Sequence, residues 1–555
     1  MTGIHVARKV KHGIAYLYLE RTARVNGKSK RVWQKYLGKE DELLDNIDLH
    51  VKGQYSMRVL EFGLPALMFD IAREIRLVDI IDECTEKRDQ GLSVGDHVLL
   101  AAINRCVKPA SKTKLKAWLD KTYLQFMMPP IDVNVDARAY WTHFFYLTDD
   151  AIENIENRLC QQIIKQYNLT LDCVLFDPTN FYTYINPSGD ETLPEHGHSK
   201  ENRLVLNIIN LSLFCLKDGA IPLFHETYAG NVPDASHFKE VIPKFIGKLK
   251  AFGFEPADTT LVFDKGNISD DAFAWIDAEH LQYIVTVRPT SHKDLLSIPP
   301  DEFIMYELPN GKNIGCLEYR REMHGVERRL VAVYNPPTAE WQRENMEEKI
   351  AKKIDKVTTY FKNRLNAGKW RDKDAVNKKI AALVGKGVIS GLITWDAWID
   401  DDGHVHVGIE RNETAIADHV NTFGKSFLMT SHDDWLAVDV AWMERQQYEI
   451  ERVFHWLKDP DLVAIRPMYH RKDHSIKGHA FTCVIAYLLL ALACRKLINK
   501  GMIASIEDMT TLLDEIKVVR TTFRGTKQVV DDIAEISDDA RKILDFLNLE
   551  RFLQH

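Results

Sequence analysis

VLFDPTNFYTY, residues 174–184, carries an apolar, strand-like run straight into Asp177, follows it with a proline, and resumes with aromatic residues. LVFD, residues 261–264, repeats the first half of that pattern. Each reads as a strand finishing on an aspartate, with Pro178 expected to stop regular ladder pairing just past the first acid. A lone strand-end aspartate is a cap. Two on neighbouring strands converge at one edge of a sheet and repel, and a divalent cation offsets that repulsion. Hard oxygen ligands select Mg²⁺ or Mn²⁺. Two such ions can activate a water or a 3′-hydroxyl and stabilise the leaving oxygen in phosphoryl transfer. That chemistry requires a third carboxylate.

The segment AWMERQQYEIERVFHWLKD, residues 441–459, offers Glu444, Glu449 and Glu451 on a predicted helix. Glu451, His455 and Lys458 share one face, so Glu451 could ligate while Lys458 approaches a phosphate. The plainer reading is a ladder of surface charges.

Around the two aspartates the pattern alternates in the order β-β-β-α-β-α-β. LDCVLFD is followed by RLVLNIINLSLFCL and AIPLFHETYAG, separated by the turn KDG. GNVPD then makes a turn, and Asp234 is expected to cap an amphipathic helix that recurs in Phe238, Val241, Ile242, Phe245, Ile246 and Leu249. Strand LVFD, helix DDAFAWIDAEH and strand QYIVTVRP complete the series. The fold class is α/β, a mixed sheet flanked by helices. Residues 291–430 interrupt it as an inserted β-rich and helical subdomain. Residues 1–50 read as a basic β-hairpin region turning at GKSK, 51–150 as a helical DNA-binding region with Ser93 and Ser111 as caps, and 501–555 as a helical tail.

Net charge is −8, but the basic residues are concentrated locally. Residues 1–40 hold ten Lys or Arg against Glu20 and Glu40. Residues 101–122 hold Arg105, Lys108, Lys112, Lys114, Lys116 and Lys121 against Asp120. Local basic faces suit phosphate binding on an acidic protein, because counterion release is local. Eight cysteines without a CxxC pair point to reduced thiols and a cytoplasmic location. The apolar run Ala480–Cys494 falls short of the roughly 20 residues of a membrane span, which predicts a buried helix and no membrane partner.

Several segments together resemble the DDE transposases of prokaryotic insertion sequences, in the "insertion sequence four" superfamily, whose β-rich insertion lies between the second Asp and the Glu. They are VLFDPTNFYTY, GHSKENRLVLNIINL, DGAIPLFHETYAGNVPD, LVFDKGNIS, and YEIERVFHWLKDPDLVAIRPMYHRKDHSIKGHAFTCVIAYLLLALACRKL. The last is the most specific, an E-x6-K helix followed by RPxYHR and an apolar helix. The resemblance spans about 170–500 and implies an RNase H-like catalytic core in two parts, 170–290 and 431–500. Asp177, Asp264 and Glu451 would be its catalytic metal ligands for two Mg²⁺ or Mn²⁺ ions, and Lys458 would contact the terminal DNA phosphate. It further implies double-stranded DNA partners (the element's terminal inverted repeats and a target), a homodimer in a synaptic complex, and work at the nucleoid. The family pattern would put tyrosine at 444 and arginine at 447, where Glu444 and Gln447 stand. The chemistry implied is nicking of the element's ends, then attack of the freed 3′-hydroxyl on target DNA.

Further DNA-binding candidates are Lys200 and Arg203 in the GxSK-xxR segment, Lys265, Tyr448, and the cluster Arg466, His470, Arg471 and Lys472. Trp442, Trp456, Phe181, Tyr182 and Tyr184 could stack on an unpaired base or fill the core. His470, His474, His479 and Cys483 match no zinc-finger spacing. Two alternatives stay open: a metal-dependent nuclease on the same fold that does not join strands, and a non-catalytic DNA-binding protein derived from a transposase.

Overall fold

The computed structural model describes residues 3–25, 28–51, 55–86, 91–129, 135–187, 189, 192–203, 205–468, 470–523 and 528–553. The chain divides into two units: Ile163–His455, and Met1–Gln162 together with Trp456–His555.

The first of these is built on a nine-stranded mixed sheet. Its strands are β1 (Cys173–Thr183), β2 (Asn207–Leu216), β3 (Ile221–Ala229), β4 (Thr260–Phe263), β5 (Gln282–Val287), β6 (Ile304–Glu307), β7 (Asn313–Met323), β8 (Val326–Tyr334) and β9 (Lys425–Thr430). The order across the sheet is β6-β7-β8-β9-β5-β4-β1-β2-β3. β1, β2 and β3 form an antiparallel meander. β1, β4 and β5 run parallel, and β9, β8, β7 and β6 continue antiparallel. Every residue of β2 is buried, which explains why NIINLSLFCL is apolar with little alternation: both faces of the sheet are covered.

Helix α1 (Asp234–Ala251) makes the crossover from β3 to β4, as its apolar stripe predicts. Phe238 packs between Phe176 and Phe263, with ring centroids 4.9 and 4.7 Å away, and Phe245 stacks on Phe214 at 4.6 Å. α2 (Asp270–Ala278) connects β4 to β5, capped by the Ser269 hydroxyl. One expectation fails at α1. Pro233 occupies the N-cap, and Asp234 is already the first helical residue with no capping bond. Its carboxylate instead accepts from the Tyr228 hydroxyl at 3.3 Å and pairs with Lys200 at 3.5 Å.

Within 291–430, β6 to β9 extend the same sheet, while 336–420 builds local cores of its own. A hairpin of Ile393–Ile399 and Val405–Arg411 joins the helices Pro336–Phe361 and Lys373–Val384 around Val357, Val376, Ile380 and Val405. A second cluster gathers Met346, Ile350, Ile393 and Ile416.

In the other unit, the expected hairpin is the second half of a three-stranded antiparallel sheet: Gly3–Lys11, Ile14–Val25 and Lys28–Lys39. The first residue of its GKSK turn lies outside the described residues. Tyr55–Glu61, in a stretch expected to be helical, is a strand paired with Lys517–Phe523, which pairs in turn with Val529–Ile533. The C-terminal residues are therefore not purely helical. Ser93 caps Val94–Val107 in a capping box with Asp96. Ser111 precedes only a 3-10 turn, and its hydroxyl bonds Thr113 at 2.8 Å. The helix Asp473–Ile498 is longer than the apolar run suggested. By length and hydropathy it could cross a membrane, yet 83% of that window is buried inside the protein, packed on Gly63–Glu74 and Val94–Val107.

Candidate active site

β1 and β4 pair in parallel register, Cys173 opposite Thr260, Val174 opposite Leu261 and Leu175 opposite Val262. Two residues further along each strand come Asp177 and Asp264, so the repeat in sequence is also a repeat in space. β1 does not stop at its acid. Asp177 pairs with Leu213, Pro178 with Ser212, and the ladder to β2 runs on to Thr183 opposite Asn207. Beyond Leu175 the pairing with β4 has ended, leaving one edge of β1 open, which is where a strand tolerates proline. Asp264 does close β4. It precedes the 3-10 turn Lys265–Asn267, and its carboxylate accepts from the Thr286 hydroxyl of β5. That hydroxyl accepts the Lys265 N–H at 3.0 Å.

Helix α3 (Ala437–Arg445) packs on β4, β5, β7, β8 and β9 and carries Glu444 in its last turn. Helix α4 (Tyr448–Lys458) carries Glu451 in its first turn. Asp177, Asp264 and Glu444 are half-buried and Glu451 is exposed. Burial pushes the Asp177 carboxyl up to about 7; the Lys200 ammonium opposes this, and Asp264, Asp234 and Glu451 add to it. Burial likewise pushes Glu444 up to about 7, against Arg445 and with Asp264 and Glu451. The acids of β1, β4, α3 and α4 thus share one electrostatic neighbourhood, in which the ionised forms disfavour one another.

Among the described residues, no three His, Cys, Asp or Glu side chains close to the spacing of a chelate. The donor chemistry nevertheless fits a hard divalent cation: all the acids are oxygen donors, and two hold their protons near neutrality until positive charge joins them. Glu444, one of the three carboxylates of the predicted helix, joins this neighbourhood although the resemblance assigns it no ligand role. Its signal was a carboxylate seven residues before Glu451, at a position where the resemblance expected a tyrosine.

Of the basic candidates in this unit, Lys200 is the most firmly held. Its backbone N–H donates to Asn180 Oδ1 at 3.1 Å, its ammonium donates to the Pro178 carbonyl, and Asn180 also donates to the His198 carbonyl at 2.9 Å. The GHSK segment is thereby tied to β1 beside Asp177. Arg203 lies over the Tyr182 ring at 5.4 Å. Lys265 is exposed directly after Asp264. Tyr448 is 49% exposed, and a hydrogen bond with Glu449 raises its phenol.

The remaining candidates belong to the other unit. The Lys458 carbonyl accepts from Arg466 at 3.2 Å. Arg471 and Lys472 are exposed, and Lys472 is the N-cap of Asp473–Ile498. His470 is buried against Phe144 and His479, ring centroids 5.6 and 5.2 Å away, and burial pulls it down to about 3. Tyr469, in the RPxYHR stretch, lies outside the described residues. Trp456 and Phe181 are core residues, whereas Tyr184 is 74% exposed.

Residues 170–489 match the family profile described as the transposase DDE domain. A comparison with curated proteins finds no match. Among solved structures, the chain is similar to a piggyBac transposase synaptic complex with hairpin DNA, determined by cryo-EM. Identity is 9% and the TM-score 0.37, over 88% of this chain and 85% of that one. The family match spans more than half of the chain and includes Asp177, Asp264 and Glu451; the chain belongs to the DDE transposase family.

Proposed function

We propose that the protein nicks the ends of its own insertion sequence and joins the freed 3′-hydroxyls to target DNA, with Asp177, Asp264 and Glu451 holding two Mg²⁺ or Mn²⁺ ions. The observation that carries this reading is the pair of aspartates at matching positions on adjacent parallel strands, inside the matched domain. The order β3-β2-β1-β4-β5, a meander followed by parallel strands, supports an RNase H-like core formed by 170–290 and 431–500, with 291–430 as the insertion. The long gap between Asp264 and Glu451 and the E-x6-K helix favour the "insertion sequence four" branch. Residues 1–50 and 51–150 would bind the inverted repeats, 501–555 would complete the helical region as its tail, and two copies would synapse two ends at the nucleoid.

When bound, the ions would neutralise developing charge on the phosphate and favour ionisation of the attacking hydroxyl. The chain's own residues supply the rest. Asp177 and Glu444, both pushed up by burial, would give up their protons as positive charge enters the site, and Asp264 and Glu451 would supply further carboxylate oxygens. Lys200, fixed between the Pro178 carbonyl and Asp234, would limit the proton affinity of Asp177. Lys265, Arg203, Tyr448 and Lys458, with Arg466, His470, Arg471 and Lys472, would meet the DNA. In strand transfer the 3′-oxygen bonds to a target phosphorus, the bridging P–O bond breaks, and the departing oxygen takes a proton. No protein–DNA bond forms.

The test is incubation of the full chain with DNA flanking its own gene, in Mg²⁺ or Mn²⁺, beside Glu451→Gln, followed by mapping of strand ends. End-specific nicks and joined strands, both lost in the variant, are expected. Cleavage without end preference or joining would favour the nuclease reading. DNA binding with no chemistry in either protein would favour the non-catalytic one.

A further inference from the structure

The unit formed by residues 1–162 and 456–555 holds a cavity of about 840 Å³, within the usual size range of ligand pockets. Its described lining includes six Lys or Arg and two His, and no Asp or Glu. Two of the cations are buried, Arg105 at 8% and Lys112 at 7% exposure. One guanidinium nitrogen of Arg105 donates to the Ala464 carbonyl at 2.6 Å, while its Nε has no partner. The Lys112 ammonium lies 3.5 Å from His479 Nδ1 and over the faces of Tyr140 and Phe144. His479 Nε2 donates to the Ile465 carbonyl at 3.0 Å, so Nδ1 turns a lone pair to Lys112 and the ring brings no negative charge. Burial, with Arg105 beside it, pulls Lys112 down to about 7.

With no acid in the described lining, the buried guanidinium and the charged form of the buried Lys112 are unfavourable together until an anion joins them. The same lining holds a second unsatisfied donor, the buried indole Nε1 of Trp118. It also includes Trp141, 57% exposed, as a flat apolar surface. The combination is phosphate chemistry next to a stacking platform.

We propose that this cavity binds a nucleotide, its phosphate taken by Arg105, Lys112 and the Trp118 N–H and its base stacked on Trp141. The nucleotide could be free or part of a DNA strand. None of the carboxylates assigned above takes part, so this proposal does not rest on their catalytic role.

The test is calorimetric titration of the full chain, with chelator present to silence DNA chemistry. The ligands are inorganic phosphate, deoxyadenosine monophosphate and a short single-stranded oligodeoxynucleotide, and the proteins are the native chain, Lys112→Met and Trp141→Ala. Lys112→Met is expected to weaken the nucleotide about tenfold, as loss of a charge-assisted contact does. Trp141→Ala should weaken the nucleotide and leave phosphate unchanged. Tighter binding of the monophosphate identifies a free nucleotide; tighter binding of the oligonucleotide, with the same Lys112 dependence, identifies a DNA strand. Unchanged affinity for both nucleotide ligands in a folded Lys112→Met would overturn the proposal. If that variant does not fold, the exposed Trp141→Ala decides, and the absence of any difference between nucleotide and phosphate overturns it.

Discussion

Asp177 and Asp264 stand at matching positions on adjacent parallel strands, each two residues beyond the paired Leu175 and Val262. Their repulsion is built into the sheet, because the strand register that creates it also buries the core of the unit. Asp177→Asn should therefore do two opposite things. Without divalent ions it should raise the melting temperature, since burial penalises the ionised form of this carboxyl. With ions it should reduce end cleavage by more than the roughly 10–100-fold that loss of an outer-shell partner costs a metal site. Thermal unfolding in chelator and a gel assay of cleavage check the two halves.

The pH dependence has a definite sign. Asp177 and Glu444 are both pushed up to about 7 in the folded chain. The native state thus retains protons that the unfolded chain releases in the ordinary carboxylate range. Ion-free stability from these groups is greatest below that range and falls as pH rises through about 7. Melting curves in chelator at acid and alkaline pH should show a larger drop for the native chain than for Glu444→Gln, and Mg²⁺ should restore stability on the alkaline side.

Lys200 opposes the upward push on Asp177. Lys200→Met should therefore raise the proton affinity of Asp177 further and move the acid limb of the cleavage profile to higher pH. Activity at pH 6.5 would fall by a larger factor than activity at pH 8.5. An equal fall at both would make Lys200 a DNA contact and nothing more.

Phe238 is fully buried between Phe176 and Phe263, the residues immediately before the two aspartates. Phe238→Ala should cost about 3–5 kcal/mol, measurable by urea unfolding. Phe238→Leu should retain most of both stability and cleavage.

Much of the core was legible in the sequence because its signals are local. The alternation of strands with the Phe238–Leu249 stripe gave the order of the elements, and the repeated VLFD and LVFD motifs marked two acids that the fold aligns. What escaped depends on distant pairing. Tyr55–Glu61 is a strand because Lys517–Phe523 lies beside it, and no local pattern announces that partner. β6 to β9 read as part of an insertion, yet they hydrogen-bond onto the main sheet through β5. Pro178 suggested a strand end, but only one edge of β1 is free there, and the other keeps its ladder. Glu444 was visible as a carboxylate; its neighbourhood with Asp264 and Glu451 became visible only once α3 was seen packed on the sheet.

The most direct test of the central claim is a calorimetric titration of Mn²⁺ into the native chain and into Asp264→Asn. The account predicts binding by the native chain near neutral pH, accompanied by proton release, and a loss of both in the variant while its fold remains intact. Equal Mn²⁺ affinity and equal proton release in the two proteins would contradict it.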